Sequence, residues 1–186
     1  MPLPLPSMPA DGDAAPQQAS PPAPAAAPAA AVPANARAST PTASLLIPVL
    51  DVQAGQLQDT FADARGEGRV HDAIDIMAPA GTPVLAVADG HVEKLFTSKQ
   101  GGLTLYQFDP TRTHAYYYAH LQGYAPGIVE GKALRRGETI GYVGATGNAD
   151  PAAPHLHFAV FVLGPEKQWW KGEAIDPYPL LGGRPR

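Results

Sequence analysis

The sequence predicts an all-β fold: an antiparallel sheet folded on itself, with an open groove on one face. Six segments rich in Val, Ile, Tyr and Phe are bounded by Gly, Pro and Asp, which is typical of strands separated by turns. No long segment has the 3.6-residue apolar period of an amphipathic helix. Histidines alternate with apolar residues in two segments, which indicates a sheet with one open and one buried face.

The predicted strands span residues 83–88, 91–96, 103–108, 114–121, 139–143 and 157–163. A further strand is predicted over residues 71–76, where Ile74 and Ile76 would enter the core. Asp89-Gly90 separates the first two strands of the list, and this dipeptide predicts a hairpin turn between them. Residues 60–64 favour no more than a single turn of helix.

The chain divides into one domain and two tails. Residues 1–45 contain 11 Pro, 15 Ala and only three charged residues, so they lack the apolar groups that offset the entropy of ordering a chain. We interpret them as a disordered or semi-extended Pro/Ala-rich linker. The globular domain is expected over residues 46–182, followed by a short C-terminal tail, residues 183–186.

Charge and hydropathy exclude several classes of partner. The net charge is -4 and no basic patch is present, which argues against nucleic-acid binding. No apolar run reaches 18 residues, so no membrane-spanning segment is expected. No export signal is visible in the sequence. We expect a monomer.

Most of the histidines lie in short motifs with the spacing of a metal site. Four of the six fall in three short motifs: HDAID at residues 71–75, YAHL at 118–121 and HLHF at 155–158. Residues two or four apart on a strand share a face, so His71 and Asp75 would point the same way, as would His155 and His157. Two histidines and one carboxylate make a three-ligand zinc set that leaves the fourth position open. Two further histidines could then move protons.

Other candidates are weaker. His91 and His114 stand outside the motifs and are interpreted as surface histidines. Tyr118 either lines the cleft, sharing a face with His120, or packs as an ordinary strand aromatic. Arg65 and Arg69 precede the first motif and either face an anionic substrate or are solvated.

From Leu46 to Leu181 the chain resembles the lysostaphin-type (LytM-like) zinc metallopeptidase domain. The resemblance rests on motifs in the family's order: HDAIDIMAPAGTPV at residues 71–84, ADG at 88–90, YAHL at 118–121, GYVGATGN at 141–148, HLHF at 155–158 and DPY at 176–178. It implies a barrel-sandwich-type core and one Zn2+ per chain. It also implies that the protein acts on peptide cross-links of bacterial peptidoglycan, in the periplasm or outside the cell.

Carried over by residue, the resemblance places the zinc ligands at His71, Asp75 and His157. It places two non-ligand active-site histidines at His120 and His155. The chain departs from the family pattern in three places. Ala73 replaces a glycine, Ala159 replaces a glutamate beside the last ligand, and residues 151–154 lengthen the approach to His155.

Three functions are compatible with such a domain. The first is a zinc endopeptidase in which a histidine manages the proton, because no HExxH motif is present to supply a glutamate base. The roles of His120 and His155 remain open, as does the bond that is cut. The second is a non-catalytic LytM-like domain that activates a cell-wall amidase, and such domains typically lose site residues. The third is a structural zinc module, which normally has four protein ligands. The complete set of five residues favours the enzyme.

A carrier domain is a separate structural alternative. Residues 84–92 and 131–140 resemble the two halves of a biotinyl- or lipoyl-type barrel. Such carriers present a modifiable lysine at a hairpin tip, whereas this chain has Asp89-Gly90 there. Its histidine motifs would also go unexplained. The similarity therefore indicates shared architecture and not shared function.

Removing the linker should leave the domain intact. A chain that begins at Ser44 should melt at the same temperature as the full chain and turn over a soluble substrate equally fast, because residues 1–45 are predicted to supply no side chains to the core. Thermal unfolding and steady-state kinetics of the two chains test this expectation. A large loss in either measurement would show that the segment packs on the domain.

Overall fold

The structure, a computed structural model, describes residues 44–65 and 69–183, and within them the chain is almost entirely β. The strands are β1 Ala64–Arg65, β2 Arg69–Val70, β3 Ile74–Met77, β4 Pro83–Leu85, β5 Gly90–Ser98, β6 Gly102–Phe108, β7 His114–Tyr124, β8 Ala133–Leu134, β9 Thr139–Val143, β10 His155–Leu163 and β11 Gly172–Ile175. Helix is limited in these residues to a 3-10 turn, Ala54–Gln56, and one short α-helix, α1 Pro177–Leu180. Asp176 caps α1 by accepting a hydrogen bond from the Tyr178 backbone N–H at 2.9 Å.

Nine of the described strands form one antiparallel sheet. Its main path runs β11-β10-β7-β6-β5-β8, while β3 pairs with β10 and β9 pairs with both β4 and β7. β1 and β2 form a separate two-stranded ribbon. The end of β7 leaves β6 and β10 to pair with β9, which folds the sheet over on itself without closing it. The predicted all-β class and antiparallel sheet are confirmed.

Alternate residues of a strand face opposite sides of the sheet, so core residues lie on one face and site residues on the other. In β10, Leu156 and Phe158 are fully buried, while His155 and His157, which alternate with them, are only partly buried. Tyr118 on β7 stacks against Phe158 with ring centroids 5.3 Å apart and so lies on the core side. Burial of these apolar side chains provides the main stabilising free energy of the fold.

Each predicted strand has a counterpart in the structure, although β3 begins only at Ile74 and β4 ends already at Leu85. One predicted connection is wrong. Asp89-Gly90 does not join a hairpin, because the strand before it, β4, pairs with β9 and not with β5. Ala86 is held by two backbone hydrogen bonds, donating to the Glu138 carbonyl and accepting from the Gly137 N–H. The segment that leads to Asp89-Gly90 therefore pairs with residues 137–138, just before β9, and not with the strand that follows the dipeptide.

The predicted tails fall almost wholly outside the described residues, which exclude 1–43 and 184–186. The described chain already contributes to the core at Leu45, which is buried and donates a backbone hydrogen bond to the Leu180 carbonyl at 3.0 Å. Within residues 44–65 and 69–183, no helix is long and apolar enough to cross a membrane.

Two leucines of contrasting burial test the core. Leu105 on β6 is 0% exposed and Leu50 is 42% exposed. Leu105→Ala should lower the free energy of unfolding by about 2–5 kcal/mol, because it leaves a cavity. Leu50→Ala should change it by about 0.5 kcal/mol or less. Urea titration followed by tryptophan fluorescence measures both, since Trp169 packs 4.9 Å from Tyr106 in the folded state. Equal losses would contradict the assignment of the core.

Candidate metal centre

Pairing of β3 with β10 brings the first two site residues together. Asp75 lies directly opposite His157 in this antiparallel ladder, and His155 lies opposite Met77. Opposed residues in a ladder share a face, so Asp75, His155 and His157 emerge on the same side of the sheet. The sequence-predicted alternation is therefore observed on both strands.

His71 reaches the same place from outside the sheet. The prediction of a strand over residues 71–76 is wrong at its start, because β3 begins only at Ile74. Asp72 adopts a left-handed backbone conformation with φ 55°, which an aspartate tolerates better than most residues. This turn, and not a shared strand face, places the His71 ring beside Asp75.

Three ligand-type atoms meet at one point. His71 Nε2 lies 3.1 Å from Asp75 Oδ1, His157 Nδ1 lies 3.0 Å from the same oxygen, and the two nitrogens are 3.0 Å apart. Among the residues that the structure describes, these three bring their ligand atoms close enough together to hold one metal ion. Ligands about 2.05 Å from a tetrahedral zinc lie about 3.3 Å apart, so this triangle fits zinc with little adjustment. Imidazole nitrogen and carboxylate oxygen are both ordinary zinc ligands.

Backbone carbonyls orient three of the four imidazoles. His71 Nδ1 contacts the Thr60 carbonyl at 3.0 Å, His120 Nδ1 contacts the Thr146 carbonyl at 2.8 Å, and His155 Nδ1 contacts the Ala153 carbonyl at 2.9 Å. A carbonyl oxygen can only accept, so we assign the proton to Nδ1 in each ring. In the neutral rings Nε2 therefore keeps its lone pair, available to a metal or to a proton.

His120 joins the cluster through a bulge in β7. One residue separates the paired Leu103 and Leu105 on β6, whereas two residues separate their partners Tyr118 and Leu121 on β7. His120 is the second of these two and has φ 60°. The extra residue shifts the alternation, so the His120 ring lies against the cluster, with its centroid 5.0 Å from that of His155 and 5.6 Å from that of His157.

Burial and charge set the protonation of the cluster. Burial alone would raise the pKa of Asp75, but hydrogen bonds with His157 and His71, aided by the charge that these rings carry when protonated, outweigh it and hold that pKa well below its ordinary value. Burial lowers the pKa of His157, and Asp75 offsets only part of this effect. The pKa of His120 is also lowered, to about 4, chiefly by burial. The charges of His157 and His155 add to this lowering, while the hydrogen bond to the Thr146 carbonyl and the charge of Asp75 offset part of the shift. At neutral pH the site therefore contains a carboxylate, and His157 and His120 are neutral.

Tyr118 does not line the site, so the prediction that it shares a face with His120 is wrong. It is fully buried in the core, where its hydroxyl donates to Gln107 Oε1 at 2.7 Å and accepts from the Val87 N–H at 3.1 Å. The bulge accounts for the error, since it reverses the alternation between Tyr118 and His120. Tyr117 takes the place beside the site, with its ring edge-on to His157 at 6.0 Å.

The two remaining histidines differ from each other. His91 is partly exposed and pairs with Glu93 at 3.0 Å, as expected of a surface histidine. The prediction that His114 lies at the surface is wrong. It is buried because it begins β7 opposite Val162 of β10, and its backbone N–H donates to Asp109 Oδ1 at 2.8 Å. Side chains of Arg65 and Arg69 lie outside what the structure describes, so their role stays a prediction.

Thr60 is the supporting residue that sequence reasoning missed. Its carbonyl accepts from His71 Nδ1, and its Oγ1 accepts from the Asp75 backbone N–H at 3.2 Å. One loop residue thus holds two members of the metal triangle. No sequence signal marks Thr60, because it lies 11 positions before His71 and outside every motif.

Comparison with known proteins agrees with this geometry. A family model described as peptidase family M23 matches residues 69–177, more than half of the chain. The L-Ala–D-Glu endopeptidase of Bacillus subtilis is 36% identical over 131 residues, which cover 67% of this chain and 39% of that protein. The peptidoglycan DD-endopeptidase ShyC of Vibrio cholerae is 35% identical over 102 residues, covering 55% of this chain and 22% of that protein. The chain thus spans well under half the length of these relatives.

Solved structures share the fold. The catalytic domain of the antimicrobial peptidase lysostaphin from Staphylococcus simulans is 29% identical with a TM-score of 0.57, and the match covers 68% of this chain and 90% of that domain. A zinc-containing peptidase from Vibrio cholerae is 26% identical with a TM-score of 0.51, covering 66% of this chain and 34% of that one. On the family match, the sheet and the His-Asp-His cluster together, this chain belongs to peptidase family M23.

Proposed function

We propose that this chain is a zinc-dependent endopeptidase that hydrolyses peptide bonds in bacterial peptidoglycan. The observation that carries the proposal is the cluster of five side chains: His71, Asp75, His120, His155 and His157. Three of them form a triangle with edges of 3.0–3.1 Å, and the other two are histidines beside it. Two relatives with endopeptidase names support the activity, and the name of one of them includes peptidoglycan.

His71, Asp75 and His157 are the residues that would hold zinc. Zinc, when bound, supplies a Lewis acid that polarises a peptide carbonyl and lowers the pKa of water towards about 7. The chain contributes a preformed triangle, because Thr60 fixes both the His71 ring and the Asp75 backbone. Preorganisation of this kind reduces the reorganisation needed when metal and substrate bind.

His120 and His155 are the residues that would move the proton. His120 is neutral at neutral pH, with a pKa lowered to about 4 chiefly by burial, and its Nε2 can accept a proton from the attacking water. His155 Nε2 lies 3.8 Å from Asp75 Oδ1, so this ring stands beside the metal triangle, within reach of a proton released there. One of the two then returns the proton to the leaving amine. A peptidoglycan substrate implies that the protein works in the cell envelope, in the periplasm or outside the cell.

Zinc should bind only when the triangle is intact. Asp75→Asn, His71→Ala and His157→Ala should each lose zinc, because two ligands hold the ion much more weakly than three. Asp72→Asn is a matched control: it removes a neighbouring exposed carboxylate and keeps a residue that tolerates positive φ. It should retain one zinc per chain. Elemental analysis after dialysis measures both, and retention of zinc by all three ligand variants would refute the site.

Hydrolysis should depend on the two other histidines. His120→Ala and His155→Ala should each keep zinc and fold, yet lose about 100- to 10,000-fold in rate, because a positioned acid–base group is missing. His91→Ala is the control, since His91 pairs with Glu93 away from the cluster, and it should cleave normally. Cleavage of purified cross-linked muropeptides followed by mass spectrometry gives the rates and identifies the bond that is cut.

This assay also separates the enzyme from an amidase activator. An activator works through a binding surface, so its effect on an amidase should be unchanged in His120→Ala and His155→Ala. Wild-type chain that is inert on every wall type while it stimulates an amidase would overturn the endopeptidase proposal. Normal cleavage by both histidine variants would instead overturn their assigned roles and leave the metal assignment standing.

A further inference from the structure

Thr146 occupies an unusual position beside the β7 bulge. Its hydroxyl accepts a hydrogen bond from the Leu103 backbone N–H at 3.0 Å and donates one to the Leu121 carbonyl at 2.8 Å. Leu103 and Leu121 are register partners on β6 and β7. The hydroxyl therefore bridges the backbone N–H of one strand and the backbone carbonyl of its neighbour, where a direct N–H to carbonyl bond would otherwise join the two strands.

This inserted hydroxyl lies where the bulge needs support. Ala119 and His120 together oppose the single residue Thr104, so regular backbone pairing is interrupted at this point. A bulge leaves backbone groups to be satisfied by other partners. The Thr146 hydroxyl satisfies two of them, and the Gly101 carbonyl accepts the His120 N–H at 2.8 Å. The positive φ of His120 is thus held from both sides.

The loop that carries Thr146 is fixed by close packing. A Cβ on Gly102 would lie 2.2 Å from Thr146 Oγ1, and a Cβ on Gly147 would lie 2.3 Å from the Gly102 nitrogen. Both glycines also have positive φ, 63° and 76°. The Asn148 N–H donates to the Gln100 carbonyl at 3.0 Å and closes the contact between the two loops. With the loop in place, the Thr146 carbonyl accepts the His120 Nδ1 proton at 2.8 Å.

We propose that Thr146 is the positioning residue for His120. Its hydroxyl holds the bulge that turns the ring towards the metal triangle, and its carbonyl holds the ring in the tautomer that leaves Nε2 free. Thr146 itself touches none of the metal triangle residues through a hydrogen bond in the described structure, so it acts through His120. The catalytic consequence rests on the proposed function, whereas the consequence for the His120 ring does not.

Three substitutions separate positioning from general stability. Thr146→Val keeps the side-chain shape and removes the hydroxyl, while Thr146→Ser keeps the hydroxyl. Thr104→Val is the matched control: it removes a hydroxyl on β6 that donates to the Phe96 carbonyl of β5 at 2.8 Å and makes no hydrogen bond to His120 or Leu121 among those of the described residues. A purely structural role predicts that both valine variants lose stability and activity together.

If Thr146 positions His120, the zinc-loaded variants should differ in kcat. Assayed well below its melting temperature, Thr146→Val should keep its zinc and lose about 10- to 100-fold in kcat, with KM close to wild type. Thr146→Ser should restore most of kcat, and Thr104→Val should keep it. Equal kcat losses in the two valine variants, no loss in Thr146→Val, or no rescue by serine would each overturn the proposal.

Nitrogen NMR of the histidine rings tests the tautomer without any catalysis. Long-range 1H–15N spectra of the zinc-loaded wild type should show His120 protonated at Nδ1, and Thr146→Val should lose this single-tautomer signature. A wild-type His120 protonated at Nε2 would overturn the proposal, even if Thr146→Val fails to fold. If the wild type hydrolyses nothing but shows the Nδ1 tautomer and its loss in Thr146→Val, the proposed function fails and the positioning role stands.

Discussion

The antiparallel pairing of β3 with β10 is the constraint on which the site depends. It sets Asp75 directly opposite His157, with His157 Nδ1 3.0 Å from Asp75 Oδ1, while Leu156 and Phe158 point into the core from the same strand as His157. Because alternate residues of a strand face opposite ways, packing of the core and geometry of the metal triangle are fixed by one register. A slip of one residue would bury the histidines and expose the leucine and phenylalanine.

Backbone carbonyls from two loops, the one that contains Thr60 and the one between β9 and β10, orient three of the site imidazoles. The sheet can aim an imidazole, but it cannot choose which nitrogen carries the proton. Thr60, Thr146 and Ala153 make that choice for His71, His120 and His155, each through Nδ1. A backbone carbonyl performs the same task three times, once from the loop before β1 and twice from the loop between β9 and β10. Outer partners of this kind orient ligands and tune their basicity, so the loops belong to the site as much as the motifs do.

Burial gives the cluster its chemical asymmetry. One carboxylate, Asp75, stays charged because neighbouring histidines outweigh the cost of burying it. His120 lies in the same cluster, yet burial lowers its pKa to about 4, so it is neutral at neutral pH. An anionic ligand set for a divalent cation thus stands next to a neutral imidazole that can accept a proton. The carboxylate and the neutral imidazole lie in one cluster. His120 joins this cluster through the β7 bulge and not through the regular alternation of the strand.

The sequence by itself determined the fold class and most of the strand segments, and it predicted the five residues of the candidate site, because these depend on local periodicity and on motifs of chemically distinctive residues. It did not determine how those residues meet. His71 enters from a turn at Asp72, His120 through a bulge, and Tyr117 takes the place predicted for Tyr118. His114 is buried, and Asp89-Gly90 joins no hairpin. Only the tertiary structure decided these features, because bulges, crossings and carbonyl contacts arise from pairing between segments distant in the chain, and local residue patterns do not encode that pairing.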